Sequence, residues 1–450
     1  MYSGYSQKKI ATGDSIQDPN NSWLNQEPHW PLIEDLLGGT YQMRSKHRRY
    51  LPQEPRELDE SFDHRLARSV CPPYYIRLEK LLSGMLVRKP VRLNDTSDDI
   101  RMDLFDVDLE NNDLNVWTYE TARKMIRYGH VGVLVDAPTD GIGRPYWISY
   151  TPRQIIGWRS KLRDGKLILS QLRLTEKVSV PDGKYGEKIV NQIRLLVPGG
   201  YEIHRQGDNG EFTKIEEGPT SLDEIPFAVA YANKVSYMES RPPLADIAEL
   251  NLKSYQLQSD LSNQLHIASV PMLAFYGFPQ SSEEVTAGPG EAIAFPAEGR
   301  AEYIEPTGSS FNAQFEQIDR VEKQINELGL ASILGQKLTA ETAESKAIDR
   351  SQGDSTMMVI AQQMQDMIDN CLKFHGQFTG NEAGSCFVNR DFLGQKMDAP
   401  SIQALLTLYT AGAISQETLL KQLSEGEVLG DEFDIQEELE STDTGGLVAE

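Results

Sequence analysis

Cysteine is scarce in this 450-residue chain: there are three, Cys71, Cys371 and Cys386. An odd number with no C-x-x-C pair supports neither a disulfide framework nor a zinc ribbon, and fits a reducing compartment. Long apolar runs are also missing. The longest, around Val270–Phe278, falls far short of the ~20 residues a membrane helix needs, so no membrane partner is expected. The opening MYSGYSQKKIATGDS has no apolar h-region, and no signal peptide is expected. Positive charge is short as well: 44 Lys and Arg face 67 Asp and Glu, a net charge of −23. Tight, sequence-reading DNA binding rests on cations that release counterions from phosphate, and this composition argues against it. Weak or repulsive passage of nucleic acid is compatible with it.

Motifs that carry chemistry are lacking too. The Gly-rich stretches GPGEAIAFPAEG and GDNGEF have no Lys-Ser/Thr to hold phosphate and magnesium. There is no G-x-S-x-G elbow and no H-E-x-x-H, and the seven histidines never stand at metal-ligand spacing. No catalytic residue, metal or cofactor is therefore expected, and the chain reads as a non-enzyme. The competing enzymatic reading is a hydrolase of unfamiliar type built around His130, Asp136 and His204.

What is present is a globular composition, 39% hydrophobic and 25% charged, long enough for more than one core. Residues 1–22 are polar and read as an arm that orders only against a partner. Trp30–Tyr50 reads as helix and carries Arg44, Lys46, Arg48 and Arg49 in six residues. That cluster is either a solvated face or an electrostatic contact with an acidic neighbour. Residues 60–88 read as two helices broken at Pro72–Pro73, and 114–128 as an amphipathic helix closed by Gly129 before the strand HVGVLVDA. From 144 to 235 short alternating runs separated by Asp164–Gly165, Asp182–Gly183 and Asn209–Gly210 predict a meander of antiparallel strands.

Helical periodicity returns after Pro242–Pro243. Leu250, Leu257, Leu261, Leu265 and Ala268 define the expected apolar stripe of a helix of about 25 residues. A compact insert follows, with VPMLAFYGF, EAIAFP and AEYIEP as strands around the acidic SSEEVTAGPG. A second helix places Phe311, Phe315, Ile318, Val321, Ile325 and Leu328 on one face and is expected to halt at Gly329. The loop ASILGQKLTAET leads to a third, very long helix of ~37 residues, with Met357, Ala361, Met364, Ile368, Cys371, His375 and Phe378 in register. His375 there reads as a core or interface histidine, and Met357, Met358, Met364 and Met367 as packing filler. A helical hairpin closes at Gly412 and is capped by Ser415, in a stretch (398–450) with twelve acids and one Lys.

This order of parts resembles the portal proteins of tailed bacteriophages. The resemblance covers roughly 30–430. It rests on WPLIEDLLGGTYQMRSKHRRYLP, on LADIAELNLKSYQLQSDLSNQLHIASVPMLAFYGF where a helix enters the insert, and on LLTLYTAGAISQETLLKQLSEGEVL. It implies an α+β subunit. Its parts would be an N-terminal arm (1–22), a mixed wing (23–241), a stem helix (242–268), a small β-containing clip (269–310) and a second stem helix (311–331). A tunnel loop (332–342), the long wing helix (343–397) and a helical crown with an acidic tail (398–450) would complete it. It further implies a homo-oligomeric ring, usually of twelve subunits, at one capsid vertex of a virion. Double-stranded DNA would pass through without sequence specificity, and terminase, a head–tail adaptor and the major capsid protein would be partners. The residues it singles out are Gly335, Gln336, Lys337 and Thr339 facing DNA, and Glu283, Glu284, Phe295 and Tyr303 contacting a partner at the clip. Arg44, Lys46, Arg48 and Arg49 would touch the capsid or neck. The runner-up within the class is another ring-forming neck, adaptor or minor capsid protein.

Overall fold

The computed structural model describes residues 13–138, 143–269, 272–276, 300–304, 309–331, 343–390 and, with gaps, parts of 392–439. The chain divides into two units, Met1–Asn389 and Arg390–Glu450. The fold is mixed α and β, with helices and several antiparallel sheets.

The first unit opens with helices: α1 (Asn21–Gln26), α2 (Trp30–Leu37), α3 (Gly39–Ser45), α4 (Asp59–Arg68) and α5 (Tyr74–Leu86). The break between the last two falls at Pro72–Pro73, because proline offers no N–H to continue a helix. Residues 13–20 correct an expectation. They do not wait for a partner but lie on their own chain: Asn20 N donates to Ile156 O at 2.9 Å and Arg173 Nη1 to Ile16 O at 2.8 Å. The Asn20 side chain also caps α1 by accepting from Trp23 N at 2.8 Å. A short strand β1 (Arg92–Asn94) and helices α6 (Asp98–Asp103) and α7 (Leu114–Tyr128) follow. Asp113 caps α7, and Gly129 ends it at φ 91°, a backbone angle that glycine adopts freely.

The strand region splits into two sheets where a single meander is expected. Strand β2 (His130–Asp136) is the middle of a three-stranded sheet, between β3 (Tyr146–Tyr150) and β9 (Phe227–Tyr231). The meander proper is β4 (Ile155–Arg163), β5 (Lys166–Asp182), β6 (Gly186–Val197), β7 (Gly200–Gln206) and β8 (Phe212–Pro219), paired in chain order. IPFAVAYAN leaves the meander because its buried residues fill a different place. Phe227, Ala228, Ala230 and Tyr231 are all buried, as a central sheet demands, whereas β8 is exposed along most of its length. Leu134, Tyr150, Ile155, Leu172, Leu174, Leu196, Phe227 and Met238 form the core joining the two sheets. Gly132 lies against the Phe227 ring so closely that no Cβ would fit. A small hairpin, β10 (Lys234–Ser236) and β11 (Glu239–Ser240), precedes the return to helix.

The helix α8 (Ala245–Ala268) runs into β12 (Met272–Tyr276), which pairs antiparallel with β13 (Arg300–Ile304); α9 (Ser309–Asn326) then returns. The stop expected at Gly329 is not there: a π-helical turn carries the backbone from Glu327 to Ala331. The long helix α10 (Ala343–Thr379) packs on β9 and β2, and β14 (Ser385–Phe387) pairs with β1. Met357, Met364 and Met367 are buried in it, whereas Met358, expected as packing filler too, is exposed. In the second unit α11 (Ala399–Thr410) and α12 (Gln416–Glu425) make a hairpin, with Gly412 at φ 71° in the turn and Ser415 Oγ accepting from Thr418 N.

Candidate functional site

The part of the molecule with a shape to act is the helical hairpin α8–α9 and the β12–β13 ribbon at its far end. At 1.5 Å per residue, α8 is about 36 Å long. The two ribbon strands pair from Met272↔Ile304 to Tyr276↔Arg300, and α8 packs on α9. Among the described residues the ribbon has two strands, and two strands by themselves are marginal in water.

The near end of the hairpin is fastened to the helical base by polar contacts that the leucine spacing does not reveal. The buried face of α8 is Ile247, Ala248, Asn251, Ser254, Tyr255, Ser259 and Leu261. Leu250 and Leu257 are half-buried and Leu265 is exposed, which corrects the expected stripe. Asn251 repairs the proline break. Its Oδ1 accepts from Tyr75 N at 2.9 Å, an orphan donor of the α5 first turn, and its Nδ2 donates to Pro72 O at 2.9 Å. Ser69 Oγ meets Ser259 Oγ at 2.7 Å, Arg68 Nη2 reaches Asn263 Oδ1 at 2.9 Å, and Gln256 Nε2 donates to Tyr50 O at 2.9 Å. On α9, Ile318, Val321 and Ile325 are buried. Tyr74 OH donates to Glu322 Oε1 at 2.5 Å; burial, then that carboxylate, pushes the phenol up to about 12. A Cβ on Gly329 would stand 2.5 Å from Leu78 Cδ1, so glycine lets the π turn press onto α5.

The far end is different. Leu265 is 40% exposed, Ile267 62%, Tyr276 41% and Phe315 46%. Arg300 lies over the Tyr276 ring, and each of these groups keeps a large part of its surface in water in a single copy.

Of the residues singled out from the sequence, Gly335, Gln336, Lys337 and Thr339 lie outside the described residues, as do Glu283, Glu284 and Phe295. Tyr303 sits on β13 opposite Leu273. The basic cluster is placed, and its acidic neighbours belong to its own chain. Arg44 Nε donates to Ser69 O at 2.8 Å, Lys46 Nζ stands 3.2 Å from Asp35, and Arg48 Nη2 pairs with Asp59 at 2.8 Å. Arg48 also covers Phe62, and the exposed Arg49 lies over Tyr50. Burial raises the Asp35 carboxyl, but hydrogen bonds from Gln42, Tyr50 and Lys46 outweigh it and hold the group below its ordinary range.

The residues of the enzymatic reading are not brought together. His130 and Asp136 stand at opposite ends of a seven-residue strand, about 20 Å apart at ~3.3 Å per residue. His130 is buried with Nδ1 2.7 Å from Ser240 Oγ, and burial pushes it down to about 3. His204 pairs with Glu202 at 2.8 Å. Asp136 is held by Arg194 at 2.5 Å, and Arg194 also meets Glu176 at 3.0 Å, an ionic link between the two sheets. Among the described residues no three His, Cys, Asp or Glu side chains are arranged to hold a metal ion, and no helix is long and apolar enough to cross a membrane. Sequence reasoning also missed Glu79. Fully buried on α5, it takes Arg123 and Arg127 of α7 at 3.0 Å each. The only available signal was the i, i+4 spacing of those two arginines, which puts both on one helix face.

Residues 243–379, from the start of α8 to the end of α10, match the family described as a domain of unknown function, DUF4055. No curated protein matches. Among solved structures the chain is similar to one from the neck of an empty gene transfer agent (GTA) particle with C6 symmetry. The TM-score is 0.42 at 12% identity, covering 86% of this chain and 99% of that one. It is similar too to a chain in the virion of a native GTA particle (TM-score 0.41, 11% identity, 85% and 98% covered). A third is from the neck of a native GTA particle with C12 symmetry (0.40, 12%, 83% and 94%).

Proposed function

We propose that the chain is the subunit of a portal ring, the channel at one capsid vertex through which a tailed phage or phage-like particle takes in and releases its DNA. The observation that carries this reading is the α8–α9 hairpin. Its base is bolted to the wing by buried hydrogen bonds, and its far half leaves Leu265, Ile267 and Phe315 uncovered in a single copy. Burying one such side chain is worth ~1.5–3 kcal/mol, and lateral copies of the same hairpin in a closed ring would supply the cover. The α11 helix, PSIQALLTLYT in its main part, supports the same reading: it is apolar, yet none of its residues is buried. A net charge of −23 per copy suits a bore that duplex DNA slides through, since an acidic wall releases no counterions and does not hold the polyanion. Twelve subunits, terminase, a head–tail adaptor, the major capsid protein and the virion vertex belong to this proposal, as does the absence of enzymatic activity.

The test is packaging. Particles assembled without the chain should take in no DNA when given the packaging motor, and adding the chain during assembly should restore uptake. Normal uptake without the chain overturns the reading. A chain dispensable for uptake but required for tail joining would be another ring of the neck.

A further inference from the structure

The five-stranded sheet ends in two hairpins of opposite charge. On one side β4 and β5 from Ile155 to Leu174 carry Arg159, Lys161, Arg163, Lys166 and Arg173 against one carboxylate, Asp164, a net charge of +4 in a chain of −23. On the other side β7 and β8, from Gly200 to Pro219, carry Glu202, Asp208, Glu211, Glu216 and Glu217 against Arg205 and Lys214, a net charge of −3. These are the two edges of the sheet, because β4 and β8 are its terminal strands.

Both edges are open along much of their length. The start of β4 is covered where Asn20 N meets Ile156 O, but Arg159–Arg163 is exposed throughout and no further strand lies beyond it among the described residues. Among the described residues Arg163 pairs with the adjacent Asp164, and Arg159 stands opposite the neutral Gln171, diagonal to a second cation, Arg173. Thr213–Glu217 of β8 is exposed in the same way. Each edge also shows an apolar residue to solvent: Leu162 is 75% exposed and Ile215 47%. A bare edge with unpaired backbone groups is a template for another chain, and charges of one sign normally guard it against its own kind. Here the two guards differ in sign. Like edges repel and unlike edges attract, the condition for a head-to-tail contact that closes into a ring.

We infer that the basic β4–β5 edge of one copy docks on the acidic β7–β8 edge of the next, so that the sheet is a subunit-to-subunit interface. This rests on the ring reading and names the surfaces that build it. Leu162 and Ile215 then meet partner surface instead of water, and Arg159 and Lys161 gain carboxylates from Glu216 and Glu217 of the next copy.

The test is a charge-swap series in the full chain, followed by sedimentation velocity, with melting curves to check folding. Arg159→Glu with Lys161→Glu and Arg163→Glu reverses one edge; Glu211→Lys with Glu216→Lys and Glu217→Lys reverses the other. Each set alone should raise the concentration needed for assembly at least ~tenfold with an unchanged melting temperature, and both together should return it to within about threefold of wild type. If either set alone assembles like wild type, or if the combination does not rescue, the edge-to-edge contact is wrong while the ring reading stands. If the basic-edge reversal assembles normally but retains less duplex DNA, that edge serves nucleic acid and the inference falls. A wild-type chain that stays monomeric at every concentration overturns both.

Discussion

The two long helices α8 and α10 make an instructive pair. On α10 the apolar stripe and the buried face coincide. Met357, Ala361, Met364, Ile368 and Cys371 are all fully buried, with Leu372 beside them and His375 continuing the line against Asp103 at 3.0 Å. On α8 the two do not coincide. Its buried face is largely hydroxyl and amide, and of the leucines in the expected stripe only Leu261 is buried, while Leu250 and Leu257 are half-buried and Leu265 is exposed. A helix that spends most of its apolar residues on its own core has little left to offer a partner, here Met358 and Val359. One that fastens itself with Asn251, Ser254 and Ser259 keeps Leu250, Leu257 and Leu265 at least partly free.

The contrast can be broken first by cutting each helix at its fastening. Ile368→Ala on α10 removes a fully buried side chain and should cost about 3 kcal/mol of folding free energy, read as a lower urea midpoint. Asn251→Ala on α8 strands the Tyr75 N–H and the Pro72 carbonyl, and should cost about 2 kcal/mol. A loss below about 0.5 kcal/mol in the second case would mean that leucine packing, not the polar face, holds α8.

Acid sharpens the comparison by testing the buried sheet under α10. His130 is held neutral in the fold, pushed down to about 3 by burial from an ordinary value of 6.5. Its contribution is therefore complete above pH 6.5 and is lost as pH falls below it, at ~1.4 kcal/mol per unit, or about 2 kcal/mol by pH 5. His130→Gln should flatten that slope in denaturation curves taken between pH 7 and 5. The smallest effect is the most telling. Ile267→Ser should change folding stability of the single copy by less than about 0.5 kcal/mol, since most of the side chain is already in water, yet it should raise the concentration needed for assembly.

Much of this architecture was legible because it follows from local chemistry. Proline at 72 and 73 stops a helix, Asp164–Gly165 turns a hairpin with both residues at positive φ, and seven residues at 3.6-residue spacing announce α10. What was not legible depended on contacts distant in sequence. Nothing near Asn251 says that it will meet a carbonyl 179 positions earlier. Nothing in FAVAY says that it will pair with HVGVLVD and not with its nearest neighbour in the chain. The candidate site divided in the same way. The helix–ribbon–helix order could be read from periodicity, but the basic cluster's partners, Asp35 and Asp59, could not, because an exposed Arg or Lys run looks alike whether its acid sits in the same chain or another.

The central claim is that the exposed half of the α8–α9 hairpin is covered by further copies of the same chain around a channel. Electron microscopy of the purified full-length chain tests it most directly. Closed rings with a central opening wide enough for duplex DNA are predicted. A field of single particles of monomer size, at concentrations where Leu265, Ile267 and Phe315 would have every chance to pair, would contradict it.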